Sequence, residues 1–236
     1  MIYKMIPLKL ITLNSGNSLV LGGLLSIIRM ENPDIVFLQE ISVTSGQLKS
    51  YVAKYGYNAE ANTDLLDITR LGTGIVWRHD VPVSEVTSVV ECRAQLAKLG
   101  SYSLLNLYAH SGSNHKTSRR DFFGQDIFRL IRSTSSVSNP LLAGDFNCVL
   151  SSLDTERNVE QKKCPALKDL VSGFNYADAF RHLKSNVSEY QSVNFRLFLL
   201  GPKQACPTIC FSRSRFTETG SVTRQFCSSS SKPVCQ

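Results

Sequence analysis

Two residue types run out before this 236-residue chain does: no Asp follows Asp178, and none of the four His (79, 110, 115, 182) lies beyond His182. An Asp–His pair supplied by the last fifth of the sequence is therefore excluded. No apolar run is long enough to span a bilayer, so no membrane partner is expected. The start, MIYKMIPLKLITLNSGN, lacks a long apolar core and a small-residue cleavage site, and reads as a β-strand rather than a signal peptide. The seven Cys are odd in number and without metal-type spacing; Cys206 and Cys210 have no second pair in register. Reduced thiols and a nuclear or cytoplasmic, non-secreted protein follow, which makes the sequon Asn186-Val187-Ser188 a chance match. Charged residues are only 19% against 42% hydrophobic, a globular balance.

What charge there is leans one way. The net +7 suits a nucleic-acid or other phosphate-rich partner without establishing one. Strand-like and helix-like stretches alternate. Leu8 to Leu13 reads as a strand, Leu19 to Met30 as a helix stopping before Asn32-Pro33, Asp34 to Glu40 as a buried strand, and Gln47 to Tyr55 as a short helix. Residues 72–80, 86–96 and 101–110 are β-branched and aromatic runs. Phe122, Phe123, Ile127, Phe128 and Ile131 form a helical stripe over Arg119 to Ile131, and a further helix is expected near Ala166 to Val171. The class is α/β, with sheets covered by helices.

Four apolar strands end in polar groups: Asn14, Glu40, Tyr108 with His110, and Asp145 with Asn147 in LLAGDFN (141–147). In layered α/β folds such strand ends gather at one edge, where ligands bind. Each group also has a plainer reading: a turn at Asn14 or at Gly144-Asp145, a cap at Glu40, a core aromatic at Tyr108, and a structural His110. Their recurrence favours a site. Phosphodiester cleavage needs an in-line water, a base, and cations that neutralise phosphoryl charge. Mg2+ takes oxygen ligands and often only one or two carboxylates. Glu40 suits that ligand, with the Asn14 amide oxygen supporting it. Asp145 would orient and deprotonate the water, Asn147 would hold a nonbridging oxygen, and Tyr108 would donate its hydroxyl to developing charge.

In this order, LITLNSGN, DIVFLQE, LNLYAHSG and LLAGDFN resemble the endonuclease/exonuclease/phosphatase superfamily. GTGIVWRHD, Arg119-Arg120-Asp121-Phe122-Phe123, GDFNCVLSSLDTE and YADAFRHL are similar to its apurinic-endonuclease-like branch, the endonuclease domain associated with reverse transcriptase in LINE-type (non-long-terminal-repeat) retrotransposons. The resemblance covers residues 8 to about 190 and implies a four-layered α/β sandwich, two packed mixed sheets flanked by helices. It also implies Mg2+-dependent phosphodiester hydrolysis, with Mn2+ as a possible substitute. Asn14 and Glu40 match the metal-site positions, Tyr108 the phosphate-contacting tyrosine, and Asp145 and Asn147 the base and phosphate-binding pair. His110 and Ser111 stand as substrate neighbours. Asp178, in DAFR, takes a structural role.

The departure lies at the end. The family's late Arg-x-Asp strand and Ser-Asp-His run have no counterpart; FRLFLL (195–200) keeps the Arg without the acid. The resemblance then implies a domain over 1–190 with an incomplete C-terminal part, a divergent and poorly ordered tail over 191–236, and weak or absent activity. DNA is the expected partner, with no obligate protein partner. A binding remnant that does not cleave and a small-substrate phosphoesterase are the competing functions.

Overall fold

The computed structural model describes residues 8–16, 21–64, 66–67, 70–134, 140–151, 163–179, 195–200, 209–216 and 222–227; of 195–227 the backbone pairing is described. The expected boundary after residue 190 and the sequon at Asn186 lie outside the described residues. One six-stranded sheet has the order β12-β11-β1-β2-β4-β3, the other β5-β6-β7-β8-β10-β9. The first contains β1 (Leu8–Asn14), β2 (Ile35–Ile41), β3 (Tyr57–Asn62), β4 (Gly72–Arg78), β11 (Ile209–Phe216) and β12 (Val222–Cys227). The second contains β5 (Val83–Val90), β6 (Ala94–Leu99), β7 (Tyr102–Tyr108), β8 (Leu141–Asp145), β9 (Tyr176–Asp178) and β10 (Phe195–Leu200). Both are mixed: β1 runs parallel to β2 and β11, β7 parallel to β8, and the other pairs are antiparallel.

Period-two alternation sorts the strands into layers. Ile11, Leu13, Val36 and Leu38 pack under α1 (Leu21–Glu31) and α2 (Ser45–Ala53) through Leu24, Ile27, Leu48 and Val52. On the far side, Leu105, Leu107 and Leu142 meet Phe122, Phe123, Ile127 and Ile131 and the helix Pro165–Gly173. Between the sheets lie Leu10, Ile35, Phe37, Leu104, Leu141 and Ala143. The result is the helix–sheet–sheet–helix sandwich expected from the motifs.

Following each inner row toward the carboxyl end, apolar residues give way to polar ones. Leu10 is followed by Thr12 and Asn14, Phe37 by Gln39, Leu104 by Asn106 and Tyr108, and Ala143 by Asp145, all buried. The lower tier forms one network. Thr12 Oγ1 donates to Gln39 Oε1 at 3.1 Å, and Gln39 Nε2 donates to Asn106 Oδ1 at 2.7 Å. Asn106 Nδ2 in turn reaches the Leu38 and Gly74 carbonyls at 3.1 and 2.9 Å. Fully bonded polar groups of this kind fix the register of one sheet on the other. The upper tier is the candidate site.

Several elements differ from the sequence expectation. Residues 86–96 are two strands, not one, because Glu91 to Arg93 forms a turn with Cys92 at φ 57°. α2 starts at Ser45 because Thr44 and Gln47 form a capping box. The stripe of 119–131 begins earlier and is broken: α3 (Lys116–Asp121) leads into a π-helical turn, Phe122–Ile127, before α4 (Phe128–Thr134); Pro165–Gly173 is then α5. The wider turn brings Phe122, Phe123 and Ile127 together on the core side. The C-terminal part, expected to be incomplete, places β10 beside β8 and β11 beside β1, so both sheets continue there. Alternating or aromatic runs such as FRLFLL and VTRQFC carry strand propensity.

Candidate active site

The site forms where β1, β2, β7 and β8 end. Asn14 closes β1, and its amide is oriented at both ends. Oδ1 accepts from the Gly16 N–H at 2.8 Å, an Asx turn, while Nδ2 donates to Asp145 Oδ2 at 2.8 Å. That second bond crosses from one sheet to the other. The turn reading of Asn14 holds, and the same side chain also bonds Asp145.

Asp145 ends β8, is 3% exposed, and has both carboxylate oxygens engaged. Asn147 N–H donates to Oδ1 at 3.0 Å as the chain turns away, with Asn147 at φ 48°. Asn tolerates this left-handed conformation better than most residues. Its Nδ2 donates to the Ala109 carbonyl at 2.8 Å, so the amide is pinned to the loop after β7. The Ala109 N–H donates back to the Asp145 carbonyl at 2.8 Å. Gly144 makes the approach of β8 to β7 possible: at φ 136°, a Cβ there would lie 2.1 Å from the Leu107 carbonyl oxygen.

Glu40 reaches the site by an irregularity. Simple alternation would turn it toward the helices with Val36 and Leu38. A bulge between Gln39 and Ile41, with Glu40 at φ 59°, takes it out of that row. Ser15 holds the bulge, donating its hydroxyl to the Glu40 carbonyl at 2.5 Å and the Gln39 carbonyl at 3.2 Å. Tyr108, cross-strand partner of Asp145, is buried. Its pKa is raised, by burial first and next by the negative charge of Glu40, with Arg93 opposing. The phenol is a proton donor at neutral pH, and Glu40 stands near enough to act on it.

His110 and Ser111 sit differently. β7 stops at Tyr108, so His110 lies in the following loop and strand alternation does not govern it. Its ring stacks on His115 and meets the edge of Phe122, with centroids 6.2 and 6.1 Å apart. Buried Arg119 holds the loop by donating Nη1 to the His110 carbonyl at 2.6 Å. Ser111 is exposed, and His110 Nδ1 has no hydrogen-bond partner among the described residues. Thus Asn14, Asp145 and Asn147 are joined directly, Tyr108 and Glu40 border them, and His110 and Ser111 flank them. Sequence reasoning gave no role to Ser15, Arg119 or Arg93, which respectively bond the Glu40 carbonyl, bond the His110 carbonyl and lie over the Tyr108 ring.

The His110 pKa is lowered from 6.5 to about 4, by burial first and then by Arg93, His115, Arg119 and Arg70. A half-buried imidazole kept neutral has a defined stability signature. The unfolded chain takes up a proton near 6.5 while the folded chain resists until about 4. The unfolded state therefore binds more protons in that window, and stability present above 6.5 is lost as pH falls through it. Thermal melting from pH 7 to 4 should show a steeper fall for the wild type than for His110→Gln; identical slopes would contradict the assignment.

The Endonuclease/Exonuclease/phosphatase family profile matches residues 13–223, and the chain belongs to that family. Solved structures share the fold. A point variant of the 3′ phosphatase NExo from Neisseria, bound to product DNA hairpin, superposes with TM-score 0.70 at 16% identity, covering 92% of this chain and 98% of that one. The 3′-5′ exonuclease NExo from Neisseria meningitidis matches with TM-score 0.70 at 17% identity and the same coverage. An AP endonuclease from Archaeoglobus fulgidus gives 0.66 at 17%, covering 80% and 85%. No curated protein sequence matches the chain. Among the described residues, no helix is long and apolar enough to cross a membrane.

Proposed function

We propose that this chain is a slow, divalent-metal-dependent phosphodiester hydrolase that nicks duplex DNA, of the kind carried by LINE-type retrotransposons. The observation that carries the reading is the bonded chain Asn14–Asp145–Asn147, which joins two sheets beside Glu40 and Tyr108. A carboxylate held on both oxygens is fixed in direction, as a base facing an in-line water must be. Tyr108 would donate its hydroxyl to a phosphoryl oxygen, and Asn147 would contact the same phosphate. His110 and Ser111 would border the substrate strand. The basic balance of +7 favours a polyanion over a small substrate.

The oxygen donors fit Mg2+, which accepts one carboxylate, an amide oxygen and waters. Glu40 would hold it, with Asn14 in support, and the ion, or Mn2+ in its place, would neutralise charge on the phosphoryl group. Slowness follows from what is missing. With no Asp after 178 and no His after 182, the last strands bring neither an acid nor an imidazole of those types. Each lost transition-state contact costs on the order of 10²–10³ in rate.

The test is a substrate panel with Mg2+: supercoiled plasmid, inositol phosphates and a soluble phosphomonoester. Slow plasmid nicking with the soluble esters untouched is expected; the reverse would overturn the reading in favour of a small-substrate phosphoesterase. The same missing residues favour a second reading, a remnant that binds DNA without cleaving it. That reading predicts salt-dependent binding, unchanged in Asp145→Ala, and no nicking.

A further inference from the structure

The turn between β5 and β6 holds a cation, Arg93, outside the bonded chain Asn14–Asp145–Asn147. Asn62 fixes that turn: its Oδ1 accepts from the Cys92 N–H at 3.1 Å, and its Nδ2 donates to the Val90 and Ala94 carbonyls at 2.8 and 3.2 Å. The Arg93 N–H closes the turn on the Val90 carbonyl at 3.0 Å, and the Arg93 carbonyl accepts from the Tyr108 N–H at 2.8 Å. Backbone and turn thus place Arg93 beside Tyr108 before its side chain is considered. The guanidinium carbon then lies 4.5 Å from the centroid of the Tyr108 ring.

Two of its nitrogens, Nε and Nη1, are buried and find no hydrogen-bond acceptor among the described residues. Burying guanidinium N–H groups without acceptors is costly, and the face of an aromatic ring is the surface that offsets it. A planar guanidinium stacks on that face as an ammonium cannot. The described side-chain contacts of this guanidinium are with Tyr108, through the ring face and a side-chain hydrogen bond, and the Tyr108 proton also feels the charges of Glu40 and Asp145.

We propose that Arg93 is a positioning residue for Tyr108, holding the ring in one orientation so that its hydroxyl faces the phosphate site. The opposing effect of Arg93 on the Tyr108 proton, against burial and the charges of Glu40 and Asp145, agrees with that closeness. Its consequence for rate rests on the phosphodiester reading above; the placement of the ring does not.

The experiment uses Arg93→Gln, Arg93→Lys, Tyr108→Phe and the Arg93→Gln/Tyr108→Phe double variant of the full chain. Arg93→Gln should lower kcat for plasmid nicking about 10- to 100-fold with KM within about threefold, and Arg93→Lys should recover part of it. On the Tyr108→Phe background, adding Arg93→Gln should change kcat by less than about twofold, because residues acting as a unit are not additive. In parallel, NMR of ring-labelled tyrosine, with Tyr108 assigned by its loss in Tyr108→Phe, should show its signals displaced by Arg93→Gln while those of Tyr57 and Tyr176 stay. Unmoved Tyr108 signals, or a kcat loss carried in full onto Tyr108→Phe, would overturn the proposal. A wild type that nicks nothing sinks the nuclease reading instead, and the ring signals then decide the positioning by themselves.

Discussion

Asp145→Ala should cut DNA nicking by about 10²- to 10⁴-fold, the range a general base supplies. The same substitution strips the acceptor from two donors, Asn14 Nδ2 and the Asn147 N–H, which bond the carboxylate at 2.8 and 3.0 Å. A buried donor left without a partner costs about 1–3 kcal/mol and the part-buried Asn147 N–H less, so the melting temperature should fall as well. Asp145→Asn separates the two effects. It keeps the volume and an acceptor for Asn147, so it should melt closer to the wild type, yet it cannot take a proton from water and should be as slow as alanine. Single-turnover nicking and thermal melting, run on both variants, check this. An asparagine variant within a few-fold of the wild-type rate would remove Asp145 from the chemistry.

Gly144→Ala carries the largest expected stability loss. The position has φ 136°, and an added Cβ would lie 2.1 Å from the Leu107 carbonyl oxygen and 2.8 Å from its nitrogen. Those atoms belong to the neighbouring strand, paired at Leu107–Gly144, so relief requires separating β7 from β8. A methyl group there has no rotamer to escape into. We expect a loss beyond about 4 kcal/mol, the size reserved for backbone conflicts of this kind. Chemical denaturation of Gly144→Ala should show a chain largely unfolded in buffer; a midpoint equal to the wild type would contradict the strand geometry.

These two neighbours also show what the sequence itself makes legible. LLAGDFN declares itself: an apolar strand, a glycine, then a carboxylate and an amide, and the structure puts Asp145 on the inner face by period-two alternation. Glu40 was legible as a residue but not as a direction, because alternation points it at the helices and only the bulge at φ 59° takes it out of that row. Arg93 was hidden by a run of β-branched residues that looked like one strand. Its signal was there, since Glu91-Cys92-Arg93 interrupts that run, but the positive φ of Cys92 makes the turn and no motif announces it. β3, with the sequence YNAEAN, has weak strand propensity and exists through its pairing with β4. The partnership of β11 with β1 joins Ile209 to Leu8, a contact between chain ends that local pattern does not encode.

On the proposed reading, groups from four separate strand ends act as one cation-dependent phosphodiesterase. The decisive measurement is a time course of supercoiled plasmid nicking with Mg2+, with chelator, and with Glu40→Gln beside the wild type. Slow conversion that needs both the ion and the Glu40 carboxylate is the predicted result. Conversion that proceeds equally in chelator, or equally without that carboxylate, would contradict it.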